Sequence, residues 1–379
     1  MPLVDYTNSI VNVANSILKD FGAPTHHASL ACLNEFLQNG TYRNVVLVVL
    51  DGMGINVLEE HLDQSSFLRG FCVGELSSVV PSATAAAIPC IRSGLTPAET
   101  GHFGWSLWFE ELNRTVALFN GEDMQTEECL PHGYNPANAL LPYPSITDAI
   151  RKTGAKAHVL HHVLHNFGKR KYNIGRSMTR RLRSRSRNFG KRSFTYCYCN
   201  QPDYTLHRTG TRGEDVATVL RKIDKALARF AKKMRRTALI VIADHGHLNL
   251  QKRYFLEECP ALTNTLRAFP DIEQRLLGCR VKQGREADFL RACADFFGDD
   301  VDVLPKQRTI ELGLFGNTDT QKTGQDYPQF ERLPDFFLAG KPGITVDYHG
   351  GASKNQLVST HGGITPQEML VPLIVCVKD

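Results

Sequence analysis

The sequence predicts an α/β fold, a doubly wound, mostly parallel sheet with helices on both faces. Three short apolar runs support this prediction: NVVLVVL at 44–50, SFTYCYC at 193–199 and ALIVIA at 238–243. Runs of this length, rich in β-branched or aromatic residues, are typical of strands buried on both faces of a parallel sheet. Helical patterns at 146–152 and 214–234 lie between the runs, so strands and helices are expected to alternate.

The two ends of the chain complete the predicted domain. Apolar residues at helical spacing predict two helices before the first strand, at 9–19 and 26–37. Near residue 336 the stretch DFFLAG is expected to return the chain to the sheet. The run LVPLIVCV then forms the last predicted strand.

Residues 251–335 interrupt the alternation and predict a small inserted cap. Within them, RLLGCRVKQG indicates a strand, READFLRACADFFG a helix and DVDVLP a second short strand. We therefore expect a main domain formed by 1–250 and 336–379, with a compact α+β cap at 251–335 between its two parts.

Composition indicates a globular protein without a membrane span. Of the 379 residues, 42% are hydrophobic and 22% are charged, both ordinary values for such proteins. No apolar run reaches the roughly 18 residues that a spanning helix needs. The N-terminus, MPLVDYTNSI, lacks a secretory pattern, and the ten cysteines show no CxxC pair. We expect a cytoplasmic protein, whose oligomeric state the sequence leaves open.

The net charge of +5 comes from one basic segment. Residues 169–192 carry eleven Lys or Arg and no acid, whereas the rest of the chain has 33 bases and 39 acids. The segment fits a loop or lid that steers an anionic substrate. It also fits a nucleic-acid-binding surface with Tyr172 and Phe189 interleaved, or a solvated loop without function. Nucleic acid is the less favoured partner.

Acidic residues stand where three of the predicted strands end, namely Asp51, Asp203 and Asp244. Any one of them alone is typical of a helix N-cap. The carboxyl ends of parallel strands, however, meet at the edge where α/β sheets bind ligands. Carboxylates gathered there repel one another unless cations lie between them.

Histidines accompany these acids and narrow the choice of metal. His245 follows Asp244 directly, His207 lies one helical turn after Asp203, and His361 lies in a glycine-flanked loop. A mixture of imidazole and carboxylate ligands favours Zn²⁺, with Mn²⁺ as the alternative. The sequence thus predicts a site for two divalent cations.

A candidate nucleophile precedes an alanine-rich stretch that lies between the first and second predicted strands. In PSATAAAIPC, Thr84 lies at the expected N-terminus of a helix, where anions are favoured. The alternative is that this hydroxyl is an ordinary helix N-cap.

Five motifs in a fixed order carry a family resemblance. They are a strand followed by DGMG, then PSAT with SGLTPAETG, then NQPDYTLH, then ADHGH, and finally STHGGITPQEMLVPLIV. From about residue 45 to the C-terminus, this order resembles the alkaline phosphatase superfamily, and in it the branch of nucleotide pyrophosphatases and phosphodiesterases. The resemblance implies an alkaline-phosphatase-like fold and a hydrolase that acts on a small anionic phosphate ester.

The resemblance also implies a role for each matching residue. Thr84 takes the position of the attacking group. The ligands of the two metal ions fall on two sets of residues, of which the first is Asp203, His207 and His361 and the second is Asp51, Asp244 and His245.

Two departures from the phosphodiesterase pattern place a nucleotide substrate in question. Those relatives have an aromatic residue directly after the nucleophile and an Asn three positions after it, where this chain has Ala85 and Ala87. Hydrolysis of phosphomonoesters or of phosphonates therefore remains an alternative. A sulfatase fits less well, because PSAT lacks the Pro and the Arg of the sulfatase motif.

Two further histidines are candidates for the surroundings of the site. His102 follows the nucleophile helix closely in sequence and is expected to line the pocket. His247 lies two residues after His245, and we expect it to support the metal ligands.

Overall fold

A six-stranded main sheet forms the centre of the computed structural model, which describes residues 4–38, 42–162, 174–186, 191–316, 327–348 and 357–378. Its strands lie in the order β2 (Cys72–Ser77), β16 (Leu370–Lys378), β7 (Thr237–Ile242), β1 (Asn44–Leu50), β6 (Ser193–Cys199) and β5 (Lys156–His162). Strands β7, β1, β6 and β5 are parallel, whereas β16 runs antiparallel to both of its neighbours. The predicted mostly parallel sheet is confirmed.

The central strands are the ones that sequence predicted most sharply. All seven residues of β1 are buried, because strands flank it on both sides and its apolar side chains belong to the largest hydrophobic core. The observed bounds of β1 and β6 equal the predicted ones, and β7 begins and ends one residue earlier than predicted. Continuous apolar runs thus located the strands that lie under the site.

Helices pack against the main sheet in two groups. One group comprises α1 (Ile10–Asp20), α2 (Ala31–Gln38), α5 (Thr84–Ser93) and α8 (Ile146–Lys152), with α1 in contact with the other three. The other group surrounds α11 (Glu214–Ala231) and comprises α3 (Ile55–His61), α4 (Phe67–Gly70), α9 (Ile174–Ser186) and α10 (Asp203–Thr209). Within the described ranges, no helix has the length and apolar character that crossing a bilayer requires.

One predicted helix begins later than expected. Residues 26–30 were expected to be helical, but α2 starts only at Ala31. The backbone N–H groups of His26 and His27 donate instead to Oδ1 of Asn15, at 2.8 and 3.0 Å. The Asn15 side chain on α1 thus holds His26 and His27, which precede α2, in a non-helical conformation. Apolar periodicity does not reveal a tertiary contact of this kind.

The basic segment 169–192 is described only in part. Residues 169–173 and 187–190, including Tyr172 and Phe189, lie outside the described residues. Within α9, Met178 and Leu182 are buried and the helix packs against α11, whereas Arg180 and Arg181 are exposed. The described part of the segment is therefore an amphipathic helix with a basic outer face.

A second, antiparallel sheet has six strands and includes the elements predicted for the cap. Its order is β12 (Val301–Pro305), β13 (Phe336–Gly340), β11 (Leu276–Cys279), β10 (Asp271–Glu273), β3 (Ser106–Phe109) and β4 (Arg114–Ala117). The helix expected at 285–298 is present as α13 (Glu286–Phe297). The other α-helices of the described ranges are short: α6 (Pro97–Thr100), α7 (Pro136–Leu140), α12 (Pro260–Thr263), α14 (Lys306–Glu311) and α15 (Pro366–Met369).

The expectation that DFFLAG returns the chain to the main sheet was wrong. Strand β13 pairs with β11 and β12 in the second sheet. Phe336 and Leu338 pack into one apolar core and Phe337 and Ala339 into another, so the strand is buried on both faces. In composition such a strand is indistinguishable from one in the middle of the main sheet. The second sheet thus takes strands from 106–117 and 336–340 as well as from 251–335.

Two short ladders join the segments that approach the site. Strand β8 (Leu248–Asn249) pairs with β15 (Ser359–Thr360), and β9 (Lys252–Phe255) pairs with β14 (Ile344–Asp347). The first of these ladders brings the chain after His247 beside the chain before His361. Residues that are more than a hundred positions apart in sequence therefore meet at one edge of the main sheet.

A buried ion pair connects the second sheet to the short helix that precedes the last strand of the main sheet. Arg275, between β10 and β11, donates from Nε and Nη2 to the two carboxylate oxygens of Glu368 in α15, at 2.9 and 3.0 Å. Both side chains are inaccessible to solvent. Glu368 also accepts the N–H of Gly363 at 2.9 Å. This bidentate pair fixes the loop that follows His361.

Removal of the Arg275 guanidinium is expected to destabilise the protein strongly, because it leaves the Glu368 carboxylate buried without its cation. We expect Arg275→Met to lower the free energy of unfolding by about 3 kcal/mol or more, measured by urea titration. The matched control is Asp302→Asn, which breaks the exposed Lys341–Asp302 pair and is expected to cost less than about 1 kcal/mol. Equal effects of the two substitutions would contradict the role given to the buried pair.

Candidate functional site

Three neighbouring strands of the main sheet place acids at one edge. Asp51 follows β1, Asp203 follows the end of β6 as the first residue of α10, and Asp244 follows β7. Because these strands are adjacent and parallel, their carboxyl ends lie side by side. The structure brings the three predicted acids together.

The first cluster surrounds Asp203, whose Oδ1 faces three imidazoles. Nε2 of His247 lies 2.6 Å from this oxygen, Nε2 of His207 lies 3.2 Å from it and Nε2 of His361 lies 3.6 Å from it. His207 reaches the carboxylate from one turn further along α10, as its spacing predicted. The arrangement offers one carboxylate and several nitrogen donors to a cation.

The second cluster consists of Asp51, Asp244 and His245, each of which offers a ligand atom within 4.8 Å of the others. Oδ1 of Asp244 accepts the N–H groups of Gly52 and His245, at 3.1 and 3.0 Å. Its Oδ2 is buried and has no hydrogen-bond partner among the described residues. A buried carboxylate oxygen without a donor fits a bound cation, so these residues suit a metal ion.

Thr84 lies beside the second cluster as the first residue of α5. Its Oγ1 is 3.1 Å from Nε2 of His245 and donates to Oδ1 of Asp51 at 3.3 Å. The N-cap position belongs to Ala83, so the Thr84 hydroxyl does not cap the helix. The hydroxyl faces the candidate metal ligands at a helix N-terminus, where negative charge is stabilised.

Backbone carbonyls hold the imidazoles in one orientation. Nδ1 of His207 donates to the carbonyl of Ser359 at 2.9 Å, and Nδ1 of His361 donates to that of Ser82 at 3.1 Å. A carbonyl only accepts, so each ring carries its proton on Nδ1 and turns Nε2 towards the carboxylates. Ring orientation of this kind is typical of metal-binding histidines.

The two additional histidines differ in their positions. His247 is completely buried, and its Nδ1 lies 3.1 Å from the hydroxyl of Ser359 while its Nε2 faces Asp203. It therefore touches a predicted ligand, as expected. His102 is not among the residues that line the cavity beside Thr84, because its Nδ1 bonds to the carbonyl of Thr100, 3.0 Å away, and its ring packs on Tyr143.

Tyr198 is a residue of the site that sequence reasoning missed. It is the last but one residue of β6, and its hydroxyl donates to Oδ2 of Asp51. The only sequence signal is a tyrosine at the sheet edge where the acids gather. The contact leaves Oδ1 of Asp51 as the oxygen that faces His245 and Thr84.

The close approach of these groups shifts their pKa values. Burial and the carboxylates of Asp244 and Asp203 raise the pKa of Asp51 to about 8. Burial alone would lower the pKa of His245, but the carboxylates of Asp244 and Asp51 raise it to about 10. Burial opposes ionisation of Asp203, yet the neighbouring imidazoles, that of His207 first, hold its pKa well below its usual value. Without a metal ion, Asp51 and His245 thus hold protons at neutral pH.

A cavity of about 490 Å³ opens beside the two clusters. Thr84, Asp203, His207 and His361 line it, together with strand β10 and its flanking residues. A space of this size is sufficient for a small organic ligand. The candidate nucleophile is therefore accessible from the cavity.

Comparison with known proteins places these features in one family. The profile of the type I phosphodiesterase / nucleotide pyrophosphatase family matches residues 45–364. No curated protein sequence gives a significant match.

Solved structures share the fold at low sequence identity. The murine ectonucleotide pyrophosphatase/phosphodiesterase 5 superposes with a TM-score of 0.62 at 14% identity, over 87% of each chain. Its inactive threonine-to-alanine variant in complex with AMP gives 0.61 at 15%, again over 87% of each chain. Phosphonoacetate hydrolase from Sinorhizobium meliloti 1021, in complex with phosphonoformate, gives 0.63 at 17%, over 89% of this chain and 91% of that one.

The raised pKa values predict that protons compete with a divalent cation for the second cluster. Below pH 8 a cation must displace protons from both Asp51 and His245, so its affinity should fall at least about tenfold per pH unit as the pH is lowered. Calorimetric titration with Zn²⁺ in two buffers of different ionisation enthalpy measures both the affinity and the protons released. An affinity that does not change between pH 6 and pH 8 contradicts this prediction.

Loss of the Tyr198 hydroxyl is expected to weaken metal binding, because Asp51 then loses a donor that orients it. We expect Tyr198→Phe to reduce Zn²⁺ affinity about tenfold or more. Tyr196→Phe is a close control on the same strand, since its hydroxyl is buried without a partner among the described residues and its loss should leave the affinity unchanged. Equal affinities in the two variants would remove Tyr198 from the site.

Proposed function

Because the chain belongs to the type I phosphodiesterase / nucleotide pyrophosphatase family and is thus a phosphate-ester hydrolase, we propose that it is a metal-dependent phosphodiesterase with Thr84 as its nucleophile. One observation carries this proposal. The Thr84 hydroxyl lies against His245 and Asp51 at 3.1 and 3.3 Å, opens onto the cavity and caps no helix. A threonine held in this way is exposed to substrate and close to groups that activate it.

Two divalent cations complete the proposed site, with Zn²⁺ as the expected metal and Mn²⁺ as the alternative. Such cations supply positive charge that lowers the pKa of the attacking hydroxyl and stabilises the leaving oxygen. The mixed nitrogen and oxygen donors and the unpartnered Oδ2 of Asp244 support their binding. The proposed ligands form two sets: Asp203, His207 and His361, and Asp51, Asp244 and His245.

His247 is a further candidate for a metal ligand beside Asp203. Its Nε2 lies closer to Asp203 than that of His207, and it belongs to the same group of potential ligand atoms as Asp203, His245 and His361. We assign it a supporting role, because Asp203, His207 and His361, the three residues of the first proposed set, all line the cavity whereas His247 does not. In this role it orients the Asp203 carboxylate.

The proposed reaction has two displacement steps. Oγ1 of Thr84 forms a bond to phosphorus and loses its proton, while the bond from phosphorus to one ester oxygen breaks and that oxygen leaves as an alcohol after protonation. Water then attacks the phosphothreonine. The bond to Oγ1 breaks, the Thr84 hydroxyl is restored and the phosphomonoester is released. The N-terminus of α5 favours negative charge on the phosphoryl oxygens throughout.

A diester is the preferred substrate on electrostatic grounds. Among the described residues that line the cavity, none is Lys or Arg. A phosphomonoester carries one more negative charge than a diester near neutral pH, and a carboxylated phosphonate also carries an additional anion, so both would gain from a cationic side chain. Hydrolysis of monoesters and of phosphonates remains the alternative within the superfamily.

The nucleotide substrates of some relatives are not part of the proposal. Ala85 lines the cavity directly after Thr84 and offers no ring on which a nucleobase could stack. Ala87 is buried and offers no amide to a phosphoryl oxygen. Both residues are small and apolar, so the chemistry proposed for Thr84 does not extend to recognition of a base.

Substitution of Thr84 tests the nucleophile. On bis-p-nitrophenyl phosphate we expect Thr84→Val, which keeps the shape but removes the hydroxyl, to lower kcat at least about a thousandfold. Thr84→Ser keeps a hydroxyl and should retain activity within about tenfold. Each protein is assayed after chelation and reconstitution with Zn²⁺ or Mn²⁺, with p-nitrophenyl phosphate in parallel. Near-parental turnover by Thr84→Val would exclude Thr84, and activity that survives full chelation would exclude the cations.

A further inference from the structure

Exposed basic residues line the edge of the main sheet that lies opposite the candidate site. The four parallel strands begin at this edge, and β16, which is antiparallel to β7, ends there. The bases that flank these five strands form what we call the basic rim, namely Arg43, Lys156, Lys191, Arg192, Arg235, Arg236 and Lys378. Lys191 and Arg192 belong to the basic segment 169–192, whereas the others come from elsewhere in the chain. The fold thus gathers at one edge bases that are far apart in sequence.

Backbone hydrogen bonds hold neighbouring parts of the basic rim side by side. The N–H of Arg43 donates to the carbonyl of Arg236 at 2.9 Å, and the carbonyl of Arg43 accepts the N–H of Ser193 at 2.7 Å. The N–H of Lys156 donates to the carbonyl of Arg192 at 3.0 Å. Because adjacent strands lie about 4.8 Å apart, five strands spread the bases along a row of about 19 Å. The row is therefore a fixed feature of the sheet.

Much of the positive charge in the basic rim has no acidic partner. Arg192 pairs with Asp20 at 2.6 Å. Within the described part of the chain, no salt bridge is formed by four other members, which are Arg43, Lys156, Lys191 and Arg235. An exposed base of the second sheet region behaves differently, since Lys341 pairs with Asp302 at 2.7 Å. Bases that are clustered without counter-charges create a positive potential that attracts anions.

The ends of neighbouring helices do not account for these bases. Lys232 and Lys233 follow the C-terminal end of α11, where they suit the partial negative charge of the helix end. The inference therefore does not depend on them. Arg43, Lys156 and Lys191 lie four or five residues beyond the ends of the preceding helices, outside the last turn in which that charge is felt. The charge of these three residues is left for another partner.

We propose that the basic rim binds the phosphate backbone of a nucleic acid. Lys and Arg bind phosphate oxygens whatever the neighbouring base is, so this binding would not depend on sequence. Phosphates rise by about 3.4 Å each along one strand of a duplex, so a row of about 19 Å faces about five or six of them. Arg43 and Asp51 lie at opposite ends of β1, about 26 Å apart for an extended strand. The inference is thus independent of the proposed function.

A lipid surface with anionic head groups suits the basic rim less well. Firm attachment to a bilayer gains from apolar side chains that enter it. Among the described neighbours of the rim residues in sequence, Val377 is the only exposed large apolar side chain. A row of bases across a sheet edge also matches a chain-like polyanion better than a plane of charge.

Anisotropy titrations with a fluorescent DNA duplex of about 20 base pairs test the proposal. All proteins carry Thr84→Val and are loaded with Zn²⁺, so that the probe stays intact. At about 50 mM salt we expect a dissociation constant of about 1 µM or less, and a log–log salt slope of about −4 or steeper. Arg43→Gln, Lys191→Gln and Arg235→Gln, combined in one variant, should weaken binding at least about tenfold and reduce the slope by about three.

A matched control removes the same net charge far from the basic rim. It combines Arg212→Gln, Arg291→Gln and Arg308→Gln, which replace exposed bases that each lie within 4.0 Å of an acid. Its affinity should stay within about threefold of the parent, because long-range attraction is weak beyond a Debye length. Equal losses in the two triple variants, or an unchanged affinity in both, overturn the proposal. The second outcome would place the duplex at the candidate site instead.

The remaining outcomes are also decisive. A parent that does not bind the duplex at about 50 mM salt overturns the proposal. Co-sedimentation with phosphatidylserine vesicles tests the lipid surface, and vesicle binding through the rim without duplex binding overturns it as well. Should the rim variant be misfolded by circular dichroism, Arg43→Gln and Arg235→Gln are measured singly. Each should reduce the salt slope by about one, and an unchanged slope in both overturns the proposal.

Discussion

Mutual repulsion among buried carboxylates is the constraint on which the site depends. Asp51, Asp203 and Asp244 follow three adjacent strands and share one sheet edge. Imidazoles and a tyrosine hydroxyl face these oxygens, and yet Oδ2 of Asp244 has no donor among the described residues. Such a centre is stable only with positive charge at its middle, whether protons or metal ions supply it. The surrounding glycines, carbonyls and short ladders hold the acids against their repulsion.

The elements that the sequence predicted well are those whose environment is uniform along the chain. β1 is buried throughout and β6 is buried at every position except Tyr198, so their apolar runs marked both ends of each strand. β13 is equally apolar but belongs to the second sheet, because the apolar character of a strand does not determine which strand it pairs with. Helix α2 starts late because Asn15 accepts the backbone N–H groups of His26 and His27, a contact between separate elements that local sequence pattern does not show.

The residues of the candidate site also fall into those that the sequence predicted and those that it did not. The acids and histidines follow strands directly or lie at helical spacing, so their convergence could be predicted from local pattern and motif order. Tyr198 and Glu273 were missed. Tyr198 meets Asp51 across 147 positions, and Glu273 meets Trp105, with which it lines the cavity, across 168. The first contact depends on the pairing of β6 with β1 and the second on the pairing of β10 with β3, and no motif encodes which strands become neighbours.

The separation of the two sheets has a consequence for evolution. The groups proposed for the chemistry follow strands of the main sheet or lie on segments attached to it, whereas Glu273 and Trp105 lie on or beside the second sheet, on β10 and before β3. Substitutions in the second sheet can therefore alter which ester is accepted while the reacting groups stay in place. Sequences that share the proposed catalytic residues can then differ in the substrate that they hydrolyse.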